Sequence, residues 1–208
     1  MKKKAIILDL DNTIYSVPSI GNELFASLFR LIEESGEHTT DIAAVKDEIM
    51  RKPFQVVAAQ YQFSEELTRK GFELLLNVTY DGPIEPFSDY LFIKQLTCDK
   101  FLVTTGFIKL QQSKIKGMGI EQDFKEIHIV DPATSHKTKK DVFAEIIYRN
   151  EYQLAEVLVV GDDLHSEIKA AKELGIDTVL YDKFNQHEGT SSQHRITDFK
   201  ELIEFLSY

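Results

Sequence analysis

The sequence predicts an α/β protein: a doubly wound, parallel five-stranded sheet with an all-helical segment inserted after the first strand. Three observations predict it. Five short apolar runs, at 5–8, 100–105, 127–130, 157–160 and 177–181, are separated by helix-patterned stretches, and strands that alternate with helices assemble into parallel sheets. Between residues 19 and 85 the helical pattern continues without a strand signal. The first run stops abruptly in Asp9-Leu10-Asp11, which sets two carboxylates on one side of a strand just where the backbone turns away.

The elements follow in order. After Asp11 the chain is irregular to Pro18. Leu24, Leu28, Leu31 and Ile32, flanked by Phe25 and Phe29, then recur at helical spacing until Ser35-Gly36. Thr40-Asp41 open a second helical segment with Ile42, Val45 and Ile49 on one face, and Pro53 opens a third that runs to Tyr61. Ser64 followed by Glu65 and Glu66 reads as an N-cap with early acids for a fourth, over 65–77. Tyr80-Asp81-Gly82-Pro83 is a turn. Beyond it, helices are expected over 86–96, 107–118, 139–150 and 166–174, the second ending at Gly119 and the fourth at Gly175, and Thr197 is expected to cap a last one. The predicted division is an α/β core from residues 1–17 and 86–208 and a helical cap from residues 18–85. Both ends of the insert attach near the C-terminal edge of the first strand. Parallel sheets bind ligands at that edge, so the insert is expected to cover the site as a lid.

Composition narrows the function. The chain has 208 residues, 43% hydrophobic and 28% charged, which suits a packed domain and argues against disorder. A net charge of -10 disfavours nucleic-acid polymers and anionic membrane surfaces as partners. It leaves room for a small anionic substrate received by local cations or a metal. The single cysteine, Cys98, rules out an intramolecular disulfide and fits a reducing compartment. The Lys2-Lys3-Lys4 run is followed by only about five apolar residues, too few for a signal peptide, and no apolar stretch reaches the roughly twenty residues of a membrane span. A cytoplasmic protein is expected.

Asp9 and Asp11 alone read either as an acidic turn or as a site. The other strand ends bear on the choice. The second predicted strand ends in Thr104-Thr105-Gly106, hydroxyls and backbone N–H groups apt for an oxyanion. His136-Lys137 precede a helix after the third, and Gly161-Asp162-Asp163 end the fourth, with Glu167 one helical turn on. Each has an ordinary structural explanation: a turn, a surface charge, acids at a helix start. Together they put carboxylates, a hydroxyl and a cation in one layer. Oxygen ligands without sulfur or imidazole suit Mg²⁺, which pairs naturally with phosphate.

In these motifs the chain resembles the haloacid dehalogenase-like superfamily of phosphohydrolases, which are built on a Rossmann-like core with a helical cap inserted after the first motif. Asp9-Leu10-Asp11-Asn12-Thr13 matches its first motif, Leu102-Val103-Thr104-Thr105-Gly106 resembles the second, Lys137 the third, and Gly161-Asp162 with Glu167 the fourth, in family order. The resemblance implies that Asp9 attacks phosphorus and forms an aspartyl-phosphate, and that Asp11 protonates the leaving oxygen and then activates water. It implies that Thr104 holds a phosphoryl oxygen and Lys137 balances charge. Mg²⁺ would be held by Asp9, the Asp11 carbonyl and Asp162, with Glu167 or Asp163 assisting. Thr105 and Gly106 would line the phosphate site.

The implied activity is Mg²⁺-dependent hydrolysis of a small phosphorylated metabolite. Asp11 argues against a true dehalogenase, which lacks the second carboxylate. A sugar phosphomutase of the same superfamily stays open, as does, from another class, a phospho-aspartate signalling module, although its acids come in another order and it carries no helical insert. Asp11-Asn12-Thr13-Ile14-Tyr15 is similar to the opening of pyrimidine nucleotidase-like relatives, and phosphoglycolate phosphatases are a further subtype. Tyr15 is placed either as a stacking residue for the substrate or as a core aromatic. Arg51, Lys52 and Arg69 of the insert read as solvated charges, one of which could face the substrate.

Overall fold

A computed structural model of the chain describes residues 2–37, 41–134, 136–187 and 194–206. β1 (Ala5–Leu8), β2 (Asp99–Thr105), β3 (Glu126–Val130), β4 (Val157–Gly161), β5 (Asp177–Tyr181) and β6 (Arg195–Ile196) form one sheet in the order β3-β2-β1-β4-β5-β6. Every neighbouring pair is parallel. The sheet thus has six strands where five were expected. The sixth is two residues long, too short to carry a periodic signal, and only its pairing with Leu180 and Tyr181 makes it a strand.

β1 lies between β2 and β4, and the chain passes from β1 outward to β2 and β3 before returning to β4 on the other side. The strand order therefore reverses between β1 and β4. That reversal splays the loops apart and opens a crevice at the carboxyl ends of these two strands. Asp9 follows β1 and Asp162 follows β4, so the topology brings them to the two lips of one crevice.

Alternation along β1 divides the core. Ala5 and Ile7 pack with Phe101, Val103, Val157 and Val159 under Val142, Phe143 and Ile146 of α8 (Lys139–Arg149) and Ala171 of α9 (Glu167–Leu174). Ile6 and Leu8 face the opposite side, towards Ile93 of α6 (Tyr90–Gln95) and Leu110 and Ile115 of α7 (Ile108–Met118). This second cluster continues through Leu10, Ile14 and Tyr15 into the helical segment, so one apolar core joins the sheet to the helices that follow β1.

Those helices are α1 (Pro18–Leu24), α2 (Ala26–Ser35), α3 (Ile42–Ile49), α4 (Phe54–Gln60) and α5 (Glu65–Leu75), with no strand among the described residues from 18 to 85. The first expected helix is two, broken at Phe25 (φ -98°, ψ 10°). The Phe25 amide still donates to Gly21 O at 2.9 Å and its carbonyl accepts from the Phe29 amide at 2.8 Å, so the apolar period passes through the break unchanged. Asp41 caps α3 by accepting from the Ala43 N–H at 3.0 Å, whereas Thr40 lies outside the described residues. Ser64 caps α5 by accepting from the Leu67 N–H at 3.1 Å. At the C-terminal end the expected cap moves one residue. Asp198, not Thr197, accepts from the Lys200 N–H at 2.8 Å and opens a short 3₁₀ turn (Phe199–Leu202) that runs into α10 (Ile203–Leu206). A carboxylate is the stronger acceptor, and Thr197 instead donates its amide to Glu201 at 2.9 Å. Among the described residues no helix is long and apolar enough to cross a membrane.

Asp182, directly after β5, ties the sheet edge together. It accepts from the Gln186 N–H at 2.7 Å, the His187 N–H at 3.0 Å and Arg195 Nε at 2.7 Å. Burial pushes its carboxyl up, but the two amides and the guanidinium outweigh it and hold the group below the usual carboxylate range. A depressed folded-state value makes the ionised form the stabilising one. Asp182→Ala is expected to lower stability by about 1–3 kcal/mol near neutral pH. In denaturant titrations the gap from the native protein should close as pH falls below about 4, through the folded value of Asp182.

Candidate active site

Asp9 is the first residue past β1, its amide donating to Val160 O at 3.1 Å. Its side chain is buried, and Oδ1 accepts from Lys139 Nζ at 2.6 Å. The same ammonium donates to Glu167 Oε2 at 2.7 Å. Glu167 Oε1 in turn accepts from the Asp163 N–H at 2.7 Å, which fixes the loop after β4 over the site. Gly161 makes this possible. A Cβ there would lie 2.3 Å from Glu167 Oε1 and 2.4 Å from its Cγ, so any other residue would displace the glutamate. Asp162 completes the group, with Oδ1 accepting from the Thr13 hydroxyl at 3.2 Å. One oxygen from each of Asp9, Asp162 and Glu167 lies within 4.8 Å of the others.

The electrostatics follow from crowding. Burial, assisted by Glu167 and resisted by Lys139, pushes the Asp9 carboxyl up to about 7. Burial also lifts Asp162 well above the carboxylate range, with Glu167 and Asp9 adding their repulsion. Burial alone would lower Lys139, but the two facing carboxylates outweigh it and keep the ammonium charged. Three carboxylates around one ammonium leave two negative charges over when all are ionised. An all-oxygen donor set with that excess fits a hard divalent cation such as Mg²⁺.

Asp11 belongs to a second, separate cluster. Its Oδ1 accepts from Lys114 Nζ at 2.7 Å and from the Tyr15 hydroxyl at 2.5 Å, and its Oδ2 from Gln111 Nε2 at 2.9 Å. Burial raises this carboxyl, but Lys114, Tyr15 and Gln111 together outweigh it and hold Asp11 below the usual range. The intervening turn is tight. Asn12 takes a positive φ of 57° and its Oδ1 accepts from the Val17 N–H at 3.1 Å, so the chain doubles back and returns Tyr15 beneath Asp11. Thr104, buried on β2, accepts from Gln111 Nε2 at 2.7 Å and keeps its own O–H proton to donate. Thr105 and Gly106 follow it into the cleft wall.

The structure thus brings together Asp9, Asp11, Thr104, Thr105, Gly106, Asp162 and Glu167. It does not bring Lys137. That residue is exposed before the helix and pairs with Glu145 at 2.7 Å, while Lys139 reaches Asp9. The physical reason is the capping box of α8. The Thr138 side chain accepts from the Asp141 N–H, and Asp141 accepts from the Thr138 N–H at 2.8 Å. Residue 137 therefore stays outside the helix and 139 is its first member. The signal was present, since Lys139, Val142, Phe143 and Ile146 form one buried helical stripe. Tyr15 does not line the cleft and has no face for stacking on a substrate; it is fully buried, and burial together with Asp11 raises its hydroxyl well above the phenol range. Gln111 and Lys114 were not singled out in the sequence. They too interrupt an apolar stripe, between Leu110 and Ile115.

The helical segment forms the opposite wall of the cleft, chiefly through residues 49–55. Arg51 and Lys52 stand there, exposed; Arg51 donates to Gln186 Oε1 of the α/β part at 2.6 Å. Arg69 lies away from the cleft and pairs with Glu73 at 2.8 Å. The cleft encloses about 170 Å³, below the range of roughly 300–1,000 Å³ that takes drug-sized ligands.

Known proteins bear on this arrangement. The chain is 24% identical over 199 residues to a glyceraldehyde 3-phosphate phosphatase of Methanopyrus kandleri, spanning 85% of this chain and 82% of that protein. It is 24% identical to a ribulose-1,5-bisphosphate 5-phosphatase of Halopiger xanaduensis over 92% of this chain and 90% of that one. Among solved structures, the HAD-hydrolase YfnB of Bacillus subtilis, bound to magnesium, superposes with a TM-score of 0.61 at 18% identity over the whole of both chains. The family profile of haloacid dehalogenase-like hydrolases matches residues 3–175. The chain belongs to the haloacid dehalogenase-like hydrolases.

Proposed function

We propose that the protein is a Mg²⁺-dependent phosphomonoester hydrolase that acts on a small phosphorylated metabolite through an aspartyl-phosphate on Asp9. The observation that carries this reading is the buried Asp9 at the switch point, held by Lys139 and grouped with Asp162 and Glu167, with Asp11 beside it in its own cluster. Residues 1–17 and 86–208 act as the catalytic core and residues 18–85 as a cap over it, a division supported by the cleft wall that the helical segment contributes.

In the first step an Asp9 oxygen attacks phosphorus in line. The new O–P bond forms as the bond to the leaving oxygen breaks, and that oxygen takes a proton from Asp11. Asp11 rests ionised, so it takes up a proton before entering this step. In the second, Asp11 accepts a proton from a water that attacks the aspartyl-phosphate, releasing inorganic phosphate and restoring Asp9. Thr104 donates its O–H to a phosphoryl oxygen, and Lys139 offsets the charge of Asp9 and the transferring group. Asp9, Asp162 and Glu167 would hold the cation, which supplies charge neutralisation for the phosphoryl group. Asp163 orients Glu167 through its N–H.

The substrate class is a small sugar phosphate or similar polyol phosphate. Two relatives, the Methanopyrus kandleri and Halopiger xanaduensis phosphatases, are named for such compounds. Support on the chain's side comes from two amides lining the cleft, Gln55 Nε2 from the helical wall and Gln111 Oε1 from α7, both buried without a hydrogen-bond partner among the described residues. A donor and an acceptor of this kind are what substrate hydroxyl groups satisfy.

A phosphomonoester panel scored by phosphate release tests the reading. Sugar phosphates and p-nitrophenyl phosphate should turn over only with Mg²⁺, and Asp9→Asn should abolish release. Activity that survives this substitution removes the nucleophile assignment, and sugar-phosphate isomerisation without phosphate release identifies a mutase instead. Mg²⁺ binding followed by calorimetry should weaken as pH falls below about 7, because Asp9 must lose its proton to act as a ligand. The two lysines separate cleanly. Lys139→Ala should lower kcat by at least about a hundredfold, whereas Lys137→Ala, which removes an exposed pair with Glu145, should stay within about twofold.

A further inference from the structure

Lys114 and Tyr15 have no place in the reaction as written and Gln111 enters it only through its Oε1, yet all three converge on Asp11. Lys114 and Gln111 are buried on the face of α7 that meets the sheet, and Tyr15 is fully buried four residues beyond Asp11. An ammonium, a phenol and a carboxamide thus donate to the two oxygens of one carboxylate, at 2.7, 2.5 and 2.9 Å. Tyr15 approaches from its own turn and the other two from the helix, so rotation of the carboxylate breaks at least one bond whichever way it turns. The Lys114 ammonium also lies 5.8 Å from the centroid of the Tyr15 ring, which holds the two donors against one another.

Gln111 does more than bind Asp11. The same Nε2 donates to Thr104 Oγ1 at 2.7 Å, so the hydroxyl at the end of β2 and the carboxylate after β1 are indexed to a single amide. Room for that amide is made by Gly106, where a Cβ would stand 3.0 Å from Gln111 Cδ and 3.1 Å from its Nε2. Asp11 nonetheless remains about a quarter exposed, at 27% against 4% for Lys114. The clamp grips the carboxylate from behind and leaves it open to the cleft.

We propose that Lys114, Tyr15 and Gln111 are positioning residues that lock the Asp11 carboxylate in the one orientation from which it delivers a proton to the leaving oxygen. This rests on the phosphatase reading above and adds to it a set of residues with a separable signature. A nitrophenolate departs from phosphorus without a proton, whereas an alkoxide does not. Loss of the clamp should therefore be felt according to the leaving group, which a merely structural role would not produce.

The test compares kcat/KM, which reports the steps up to departure of the leaving group, for p-nitrophenyl phosphate and for glycerol 3-phosphate with Mg²⁺. Native protein, Lys114→Met and Tyr15→Phe are assayed side by side, with folding checked by circular dichroism. In both variants the value for glycerol 3-phosphate should fall by about a hundredfold, the lower end of general acid catalysis, while that for p-nitrophenyl phosphate falls by less than about tenfold. Equal losses on both substrates, or no loss on either, overturn the positioning role. Should Lys114→Met fail to fold, Tyr15→Phe, which deletes one hydroxyl, decides alone. A native protein that hydrolyses neither compound fails the phosphatase reading itself, and the inference with it.

Discussion

Two buried carboxylates and a half-buried third crowd around one ammonium at the carboxyl edge of the central strand, and most of the local structure around the cleft serves that crowding. Asp9, Asp162 and Glu167 come from two strand ends and one helix start, and Lys139 pairs with Asp9 and Glu167. Such a group is unfavourable by itself, because burial penalises each charge and the acids repel one another. It persists because the surroundings over-determine it. Gly161 clears the space that Glu167 occupies, the capping box of α8 aims Lys139 inward, and the Thr13 hydroxyl and the Asp163 amide each hold an acid in place. The residual negative charge and the all-oxygen donor set suit the site to a hard divalent cation.

Asp11 shows the opposite treatment only two residues away. Its carboxylate has its own ammonium and two neutral donors, and it is held ionised where Asp9 is pushed towards protonation. Two acids on one strand end thus acquire different chemistry from different neighbours, which is the pattern by which paired carboxylates divide nucleophilic and proton-transfer work. The division depends on α7 and α8, which approach the strand ends at separate points and each contribute one buried lysine.

How much of this was legible in the sequence depends on the range of the signal. The five longer strands, the helical insert and the C-terminal glycines of α7 and α9 follow from local apolar periodicity and turn chemistry, which act over a few residues. So did the acids after β1 and β4 and the threonines that end β2, because a polar residue closing an apolar run marks a strand end. The lysine was misplaced by two positions. The motif resemblance assigned Lys137, in the loop before the helix, but α8 begins at Lys139 after its Thr138 cap, and the stripe shared by Lys139 with Val142, Phe143 and Ile146 decides which ammonium is buried. Gln111 and Lys114 escaped notice for the converse reason, being polar residues on an apolar stripe whose partner lies 100 and 103 positions away. Tyr15 was legible as an aromatic but not as a donor, since only the turn at Asn12 brings its hydroxyl back to Asp11. The sixth strand has no local signal, because two residues cannot display a period.

The net charge of -10 and an anionic substrate are reconciled by local placement. Lys114 and Lys139 lie inside the cleft and Arg51 and Lys52 at the wall formed by the helical segment, so the path to phosphorus runs past cations although the surface as a whole is acidic. On the proposed mechanism Asp9 carries the phosphoryl group. This assignment is tested most directly by mixing the protein with p-nitrophenyl phosphate and Mg²⁺, quenching in acid during turnover, and mapping the modified peptide by mass spectrometry. The expected result is the added mass of one phosphoryl group on Asp9. Turnover with no phosphoryl group on Asp9, or with the group on Asp11 or another residue, would contradict it.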